Sequence, residues 1–362
     1  MKPIKLIISG GGTGGHIYPA LAIAMELKQL NNKSNILFVG AKGKLEMEKV
    51  PKAGFNIVGL WISGFKRSIS FHNLLFPFKL AVSVFHSYII LKKFKPNVIV
   101  GTGGFASGPL LRVAQWLGLP TIIQEQNSYP GITNRFLSKN AYRICVAYNG
   151  MENFFPRNKI ILTGNPVRSI FTYIIPSEKA KHNFGLDPKR KTLVVIGGSL
   201  GSCRINKLIK SKLNFFNKLG LQVLWQCGSI YYDDYKKTAS KTVIIRPFIN
   251  KMEQLYSAAD FIISRAGAAS ISELSCLGKP VLLIPSPNVT ANHQYHNAMA
   301  LVREKAALML EEKDLENKFE KYFSFLVNDK SIQKDLGKNI KRLSRKDAAQ
   351  KIVEQIIGLN GN

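Results

Sequence analysis

The residues best suited to chemistry near the start of the chain form a glycine-rich turn that ends in a histidine. The turn runs from Gly10 to His16, follows an apolar segment, and leads into a helical pattern at residues 17–27. Glycines let the backbone approach a ligand closely or adopt a positive φ. Open amides at a helix N-terminus attract anions, phosphate above all. His16 is placed to act as a base there, and packing or capping is an equally good interpretation.

A second turn of small residues lies in the other half of the chain. Ser264 ends an apolar strand, small residues follow, and a helix is predicted to begin around Ala269 or Ser270. The amides of its first turn suit a pyrophosphate, and Glu273 is placed to accept hydrogen bonds from two ribose hydroxyls. The alternative is a capping box of Ser270 and Glu273, which a helix start needs for its own sake.

Imidazole and amide side chains cluster after the next predicted strand, at His293, Gln294, His296 and Asn297. Two histidines three positions apart are compatible with a metal site, but the sequence places no third ligand nearby. Sugar hydroxyls suit these groups equally well, so we predict no metal centre.

The spacing of Gly10, Gly12 and Gly15 matches the fingerprint of dinucleotide-binding folds. That fingerprint also expects an acidic residue at the end of the second strand, where it holds a ribose. Here the second strand ends near Gly40, and the first carboxylate after it is Glu46. The Walker A pattern fails as well, because no Gly-Lys-Ser/Thr follows. We therefore expect no cofactor, and a dinucleotide-dependent oxidoreductase remains only as an alternative.

The elements that must position these residues alternate between strand and helix, which is typical of a parallel sheet. The predicted strands cover residues 35–40, 55–60, 96–100, 120–124, 142–147, 192–196, 222–226, 243–249, 261–264 and 280–285. In such sheets ligands bind beyond the carboxyl ends of the strands, so the turns at 10–16, 101–109 and 124–127 should share one edge. The pattern restarts after a polar segment at 164–190, which indicates two similar α/β domains.

Charge and cysteine content narrow the partners and the compartment. The chain has 362 residues, with 51 Lys+Arg against 22 Asp+Glu and a net charge of +29. This favours anionic partners such as phosphorylated substrates, anionic lipid or nucleic acid, although a coding bias towards lysine explains it equally well. The four cysteines, Cys145, Cys203, Cys227 and Cys276, form no CxxC pair, as expected of a reduced cytosolic protein.

One stretch, from Phe71 to Leu91, is apolar on nearly all sides and is flanked by lysine and arginine. It contains twelve uncharged residues in a row, from Leu80 to Leu91, which is too short to span a bilayer. The N-terminal apolar run is likewise too short for a signal peptide. The stretch is either a core helix with a solvated basic end or a surface that rests on an anionic bilayer.

Seven segments in order resemble a known family. They are residues 11–22, 103–109, 125–127, 164–168, 197–199, 265–273 and 293–297. Together they are similar to the MurG family, the peptidoglycan N-acetylglucosaminyltransferases. The chain departs from the family's usual pattern at Leu200, Gly201 and Ser202, where Gln-Gly-Ala is common. This departure bears on any side-chain contact from position 200, and not on the glycine turn itself.

The resemblance implies an α/β GT-B glycosyltransferase with two Rossmann-like parallel-sheet domains facing a central cleft. Residues 1–163 would form the acceptor- and membrane-docking domain, 164–340 the UDP-GlcNAc-binding domain, and 341–362 a C-terminal helix returning to the first domain. Such enzymes move GlcNAc from UDP-GlcNAc to the C4 hydroxyl of MurNAc in lipid I (undecaprenyl-pyrophosphoryl-MurNAc-pentapeptide). The products are lipid II and UDP, with inversion at the anomeric carbon. The reaction serves peptidoglycan synthesis, and through it cell shape and division.

The resemblance also assigns donor-binding roles residue by residue. Ile249 would meet uracil through its backbone, Glu273 would hold the ribose hydroxyls, and Arg168 and Ser199 would touch the nucleotide. The pyrophosphate would lie at the helix amides of Ala268, Ala269, Ser270, Ile271 and Ser272. Gln294 and Asn127 would read the hydroxyls of GlcNAc.

On the acceptor side, Thr13, Gly14 and Gly15 would face the lipid-linked diphosphate, and His16 is the candidate base. Inverting transfer needs one base and a stabiliser for the departing UDP, and Glu125 is a second candidate for the base. Helix dipoles and arginine can replace a metal in this role, which suits the absence of an Asp-x-Asp motif from the sequence.

The polyprenyl tail of lipid I adds weight to the membrane interpretation of the stretch from Phe71 to Leu91. The expected location is therefore peripheral, on the cytoplasmic face of the bacterial inner membrane. Expected partners are UDP-GlcNAc, lipid I, anionic inner-leaflet lipid and other cell-wall synthesis proteins, and not nucleic acid. A basic membrane- or nucleic-acid-binding protein without catalysis would explain the charge but not the ordered motifs.

Overall fold

The computed structural model describes residues 2–64, 75–167 and 175–360. The chain forms two compact units, residues 1–168 with 345–362 and residues 169–344. Each unit is built on one fully parallel sheet. The predicted α/β class and the two Rossmann-like units are therefore confirmed.

The first unit alternates strands and helices from its first residues. Its strands are β1 (Lys5–Gly10), β2 (Asn35–Ala41), β3 (Asn56–Leu60), β4 (Val98–Gly103), β5 (Thr121–Glu125), β6 (Arg143–Val146) and β7 (Ile160–Leu162). The helices that follow them are α1 (Gly14–Leu30), α2 (Glu46–Lys52), α3 (Phe76–Phe94), α4 (Ser107–Trp116) and α5 (Ile132–Ser138). Short 3-10 turns cover Met151–Asn153 and Arg157–Lys159.

The strand order of the first sheet is β3-β2-β1-β4-β5-β6-β7. Successive strands are added on one side of β1 as far as β3 and on its other side from β4 onward, so the strand order reverses between β1 and β4. Ile7 of β1 pairs with Leu37 on one side and with Ile99 on the other. Alternate residues of β1 pack into apolar layers on the two faces of the sheet, Ile7 on one and Leu6 and Ile8 on the other. In doubly wound sheets the ligand site lies where the strand order reverses. The glycine turns that follow β1 and β4 flank that point.

The second unit repeats this plan. Its strands are β8 (Thr192–Ile196), β9 (Gln222–Gln226), β10 (Val243–Arg246), β11 (Phe261–Ser264), β12 (Val281–Leu283) and β13 (Leu308–Met309). Its helices are α6 (Ser177–Asn183), α7 (Cys203–Ser211), α8 (Leu213–Lys218), α9 (Tyr232–Tyr235), α10 (Met252–Ala258), α11 (Ala268–Leu277), α12 (His293–Arg303), α13 (Leu315–Asn328) and α14 (Lys330–Arg342). Its 3-10 turns are Ser229–Tyr231, Lys236–Thr238, Thr290–Asn292 and Glu312–Asp314.

The second sheet has the order β10-β9-β8-β11-β12-β13, with the reversal between β8 and β11. Its core is rich in aromatic residues: Phe216 lies 6.0 Å from Phe319 and 5.3 Å from Phe323, measured between ring centroids. The turns after β8 and β11 flank the reversal, as those after β1 and β4 do in the first unit. Two short helices follow the turn after β8, because α7 ends at Ser211 and α8 begins at Leu213.

The last helix of the chain, α15 (Ala348–Asn360), belongs to the first unit. It packs against α1, and Ile352, Val353 and Ile356 are fully buried in the same apolar layer as Ile17. Across the described residues, no helix combines the length and apolar character needed to cross a membrane.

Candidate active site

The two glycine turns of the first unit contact each other directly at the reversal between β1 and β4. The N–H of Gly11 donates to the carbonyl of Gly103 at 3.2 Å. A Cβ on Gly104 would lie 2.4 Å from the carbonyl oxygen of Gly11, and one on Gly10 would lie 1.9 Å from Oγ1 of Thr102. Glycine is therefore required at position 104 because the two backbones touch, and at position 10 because the Thr102 side chain occupies the space.

His16 lies in the first turn of α1, and its ring packs against Gly11 and Gly103 of the two glycine turns. Its Nδ1 is 2.9 Å from the carbonyl oxygen of Gly11 and 3.4 Å from Oγ1 of Thr13. A carbonyl only accepts, so in the neutral ring the proton sits on Nδ1 and Nε2 keeps its lone pair. Burial lowers the pKa of His16 from its ordinary value of 6.5. The imidazole is thus neutral near pH 7, with Nε2 able to take a proton.

The packing of Gly103 against His16 gives a direct test of ring placement. A Cβ at Gly103 would lie 2.8 Å from Cδ2 and 3.0 Å from Nε2 of His16, at a φ of 96°. Gly103→Ala should therefore displace the imidazole and lower turnover on the order of tenfold, with UDP affinity unchanged. Steady-state kinetics and calorimetric UDP titration measure the two effects.

The matched control for that variant is Gly108→Ala, in α4 after the same turn. A Cβ there would meet only Cγ2 of Thr133, at an ordinary 3.5 Å. The control should keep wild-type turnover. Equal turnover in the two variants would contradict the placement of His16.

The N-terminus of α1 presents the residues expected to face a diphosphate. Thr13 is exposed at the N-cap position, in extended backbone and without a side-chain capping bond, and Gly14 and Gly15 form the first turn. Amides in a first turn have no acceptor within their own helix. This end of α1 is suited to an anion, because the partial positive charge of the helix lies there.

Glu125 ends β5 and is only 2% exposed. Its Oε1 accepts from the backbone N–H and side-chain amide of Asn127, and its Oε2 accepts from the Gly131 N–H and the Asn134 amide. Burial raises the pKa of this carboxyl. With both oxygens committed, the carboxylate is placed to hold the loop after β5 rather than to receive a proton from a substrate.

Further amides bind the exits of neighbouring strands of the first sheet together. Gln124 donates to Oδ1 of Asn165 at 2.9 Å, and Asn165 donates to the carbonyl of Gln126 at 3.0 Å. Gln126 donates to the carbonyl of Thr102 at 2.7 Å. The three turns predicted on one sheet edge, after β1, β4 and β5, are therefore connected by hydrogen bonds.

In the second unit, Gln226 at the end of β9 connects two of the expected donor contacts. Its side-chain N–H donates to the carbonyl of Gly198, beside Ser199, and its Oε1 accepts the N–H of Ile249 at 2.9 Å. Because that N–H is already used, a backbone contact from Ile249 to a base would come from its carbonyl oxygen.

Helix α11 begins directly after β11 and carries the expected pyrophosphate residues. Its N-cap is Gly267, and its first turn is the uncharged set Ala268, Ala269 and Ser270. The N–H of Ile271 donates to the carbonyl of Gly267, and the hydroxyl of Ser272 donates to the carbonyl of Ala268. The amides positioned for an anion are therefore those of residues 268–270.

Glu273 lies in the second turn of α11, so the capping-box interpretation is wrong. The helix begins at Ala268, which places Ser270 inside the first turn rather than at the cap. The Glu273 carboxylate instead accepts a hydrogen bond from the hydroxyl of Tyr256, on α10, at 3.0 Å. This contact fixes the carboxylate beside the turn after β11.

The cluster of imidazoles and amides occupies the start of α12. Gln294 accepts the N–H of Ser286 at 2.9 Å, and the amide of Asn297 donates to the carbonyl of Ala266 at 3.3 Å. Nδ1 of His293 lies 2.8 Å from the carbonyl of Thr290. The Asn297 bond ties α12 to the turn after β11, and the other two tie it to the segment that follows β12. The described residues contain no group of three metal-ligating side chains.

Sequence reasoning assigned no role to Arg265, which lies at the centre of the turns in the second unit. It is 9% exposed and donates to Oγ of Ser202, the carbonyl of Ile284 and the carboxylate of Glu312. It lines a cavity of about 350 Å³ together with Gln294. The position of Arg265 directly after a strand, in the turn of small residues, could have indicated a role in the site. Nothing in the sequence near Glu312 indicated that it pairs with Arg265.

Comparison with known proteins places the whole chain in one family. Residues 6–146 match the glycosyltransferase family 28 N-terminal domain, and residues 192–352 match its C-terminal domain. A protein of Flavobacterium psychrophilum named UDP-N-acetylglucosamine--N-acetylmuramyl-(pentapeptide) pyrophosphoryl-undecaprenol N-acetylglucosamine transferase is 52% identical over 361 residues. The alignment covers 99% of this chain and 98% of that protein. The chain belongs to the MurG family of glycosyltransferases.

Other members and a solved structure agree with this assignment. A protein of Christiangramia forsetii with the same name is 52% identical over 360 residues, covering 99% of this chain and 98% of its own. The crystal structure of Acinetobacter baumannii MurG superposes with a TM-score of 0.78 at 25% identity, covering 98% of this chain and 100% of that one. Of the residues that the family resemblance singled out, Arg168 lies outside the described residues.

Proposed function

We propose that this chain moves GlcNAc from UDP-GlcNAc to the C4 hydroxyl of MurNAc in lipid I, giving lipid II and UDP. The observation that carries the proposal is the 52% identity, along 99% of the chain, to proteins of that curated name. The reaction belongs to peptidoglycan synthesis. The geometry supports a division of work in which the second unit binds the donor and the first binds the acceptor.

In the proposed donor site, the first-turn amides of α11 bind the pyrophosphate. Glu273 accepts from the ribose hydroxyls, the carbonyl of Ile249 meets uracil, and Arg168 and Ser199 contact the nucleotide. Gln294 of the second unit binds hydroxyls of the sugar, and Asn127 of the first unit is a further candidate for that role. As the bond to the sugar breaks, negative charge grows on UDP. The dipole of α11 stabilises that charge where it develops.

In the proposed acceptor site, Nε2 of His16 takes the proton of the C4 hydroxyl as its oxygen attacks the anomeric carbon. The bond between that carbon and the UDP oxygen breaks on the opposite side, so the configuration inverts. Thr13, Gly14 and Gly15 hold the acceptor diphosphate at the start of α1. Glu125 is retained as a residue that shapes the adjoining loop, because its oxygens already accept four hydrogen bonds.

The proposal is tested by coupled measurement of UDP release with a lipid I analogue and a panel of UDP-sugars. UDP should form only when both UDP-GlcNAc and the acceptor are present, and other UDP-sugars should react far more slowly. Release without the acceptor, or a preference for another sugar, would contradict the proposed reaction. Titration with NAD(H) tests the dinucleotide alternative, for which no binding is expected.

We further propose that α3 docks the enzyme on anionic lipid at the cytoplasmic face of the inner membrane. Ser83, Ser87, Ile90 and Leu91 face the protein and are buried. On the other side apolar residues meet solvent: the exposed fractions are 60% for Phe78, 67% for Phe85, 43% for Tyr88 and 45% for Ile89. Residues 71–74, Lys66 and Arg67 lie outside the described residues.

The environment of this face fits a bilayer surface better than a protein core. Lys92 lies 5.7 Å from the ring centre of Tyr88, and Lys93 follows it in the last turn of α3. Trp61, itself 41% exposed, contacts Phe78 edge-on at 5.9 Å. Aromatic rings at an interface with lysines at the headgroup level are typical of peripheral membrane attachment. Contacts with other cell-wall proteins, and the lack of nucleic-acid binding, remain predictions.

The docking surface predicts that Phe78→Ser with Phe85→Ser lowers partition to anionic vesicles on the order of 10- to 100-fold. Pelleting with vesicles that contain phosphatidylglycerol measures this, with RNA as a competitor for the basic surface. UDP affinity should not change. The matched control is Phe325→Ser on α13, which removes a phenylalanine with 48% exposure from the second unit. Equal loss of pelleting in control and test variants would count against α3 as the docking surface.

A further inference from the structure

Glu46 is a buried acid that has no place in the reaction described so far. It is the first residue of α2, and its exposed fraction is 0%. Dinucleotide-binding folds place an acid near the end of the second strand to bind ribose, and Glu46 follows β2. Here, however, the carboxylate is turned inward onto the backbone of the protein. Burial of a carboxylate is costly unless hydrogen bonds compensate, so its partners indicate what it does.

Those partners are backbone amides of two different segments. Oε2 accepts the N–H of Gly12 at 2.8 Å, and Oε1 accepts the N–H of Ala41 at 2.9 Å. One carboxylate therefore joins the first glycine turn to the exit of β2. Charge-assisted hydrogen bonds of this kind are stronger than those between neutral groups.

The surrounding glycines leave room for this side chain. A Cβ at Gly11 would lie 2.2 Å from Cδ of Glu46, and one at Gly40 would lie 2.4 Å from its Cγ. Any larger residue at either position would collide with the carboxyl group or its stem. Gly11 and Gly40 are thus explained by Glu46 rather than by a bound ligand.

The peptide group between Gly11 and Gly12 connects Glu46 to His16. Its N–H end, on Gly12, donates to Glu46, and its carbonyl end, on Gly11, accepts from Nδ1 of His16 at 2.9 Å. A carboxylate that binds the N–H end makes the carbonyl a better acceptor, because linked hydrogen bonds polarise one another. The chain of contacts runs from carboxylate to peptide to imidazole.

We infer that Glu46 is a positioning residue, which orients His16 and fixes its proton on Nδ1 by holding the Gly11–Gly12 peptide. The inference rests on the proposed role of His16 as base. It extends that role to an acid thirty positions further along the chain, on a separate helix. Of the atoms in this chain of contacts from Glu46 to His16, only Nε2 of His16 would meet the acceptor hydroxyl.

The other groups around the imidazole in the described residues are uncharged. The turn after β4 presents Gly103 to the ring edge and Thr102 to the backbone carbonyl of His16, and Thr13 lies beside Nδ1. Glu46 is the charged group that acts on the ring, and it raises the pKa of His16 against the larger, lowering effect of burial. Loss of that charge should therefore lower the pKa further.

The test compares E46Q with E48Q. Glu48 lies on the same helix, but it is exposed and pairs with Lys52 at 2.8 Å. E46Q should reduce kcat on the order of 10- to 100-fold, because an amide offers a donor where one of two acceptors is needed. KM for UDP-GlcNAc should stay near its wild-type value, since the donor binds to the second unit. E48Q should match wild type in both constants.

Two further measurements distinguish positioning from simple destabilisation. In E46Q the acid limb of kcat/KM should move to lower pH, since the imidazolium loses a stabilising negative charge. Amide hydrogen exchange of peptides that cover residues 10–17 should accelerate in E46Q and not in E48Q. If E46Q keeps wild-type kcat and wild-type exchange, the inference is overturned.

The outcome remains readable if the proposed function itself fails. If the wild type transfers no GlcNAc, an NMR titration of the His16 ring and the hydrogen exchange of residues 10–17 still test whether Glu46 acts on His16 through the Gly11–Gly12 peptide. A His16 pKa that is equal in E46Q and wild type would then overturn it. If E46Q does not fold, E46D replaces it. Its side chain is shorter by one methylene, so its carboxylate should not reach both amides, and kcat should fall and exchange should accelerate as expected for E46Q.

Discussion

Replacing His16 with alanine should lower kcat by about 10²- to 10⁴-fold, the range associated with loss of a general base. UDP affinity should be retained, because His16 lies in the first unit and the proposed nucleotide contacts lie in or beside the second. Coupled UDP-release assays with a lipid I analogue give kcat, and calorimetry gives the dissociation constant of UDP. Turnover close to wild type would exclude His16 as the base and would return attention to Glu125.

The control for this variant is His182→Ala, which removes an exposed histidine from α6. It should leave both constants unchanged. The pH dependence adds a second check on the wild type. The active form is the neutral imidazole, whose pKa is lowered by burial from 6.5. Activity should therefore persist below pH 6.5 and fall only as the ring is protonated at lower pH. An acid limb above 6.5 would be inconsistent with a half-buried, neutral ring whose pKa is lowered.

The second large effect is expected at Glu273. Glu273→Ala should weaken binding of UDP and UDP-GlcNAc on the order of 10- to 100-fold, because hydrogen bonds to a charged group contribute roughly 1.5–3 kcal/mol. The loss should appear in KM more than in kcat at saturating donor. Calorimetric titration of each variant with UDP measures it directly.

The ligand itself supplies the sharpest control for Glu273. An analogue that lacks both ribose hydroxyls should bind wild type and Glu273→Ala almost equally, since the carboxylate then has nothing to accept from. Tyr256→Phe removes the hydroxyl that donates to Glu273 and should cost less than removal of the carboxylate. Glu316→Gln, at a surface-exposed ion pair with Arg204, should have no effect. An equal penalty with both ligands would show that Glu273 supports the fold and not ribose.

The sheet architecture could be predicted because it depends on local patterns. Short apolar runs that end in glycine, followed by helical periodicity, give both the parallel strands and the turns at their carboxyl ends. The contact of Gly11 with Gly103 follows from that plan, since both turns flank the reversal of strand order.

The hydrogen-bonding partners of the site could not be predicted in the same way. Glu46 meets Gly12 across 34 positions, and Arg265 meets Glu312 across 47. Neither pair has a spacing that a helix or strand would impose. The capping box failed for a smaller reason: the N-cap of α11 is Gly267 rather than Ser270, and this shift of three residues moves Ser270 from the cap into the first turn.

Apolar composition without periodicity was also ambiguous. The stretch from Phe71 to Leu91 has apolar residues on nearly every side of a helix, so pattern alone could not tell a buried face from an exposed one. The small polar residues mark the buried face of the helix: Ser83 and Ser87 are buried, and Ser83 donates to the carbonyl of Trp61. Phe78 and Phe85 face solvent instead, an arrangement the structure alone could reveal.

The return of α15 to the first unit has a consequence for biosynthesis. The ribosome makes most of the first unit before it makes the second, yet the apolar layer around Ile17 is completed by Ile352, Val353 and Ile356. The second unit is continuous in the chain and can close its core before translation ends. The unit that is synthesised first is therefore the last to finish folding, and until the final helix emerges it exposes an apolar groove to chaperones and to aggregation.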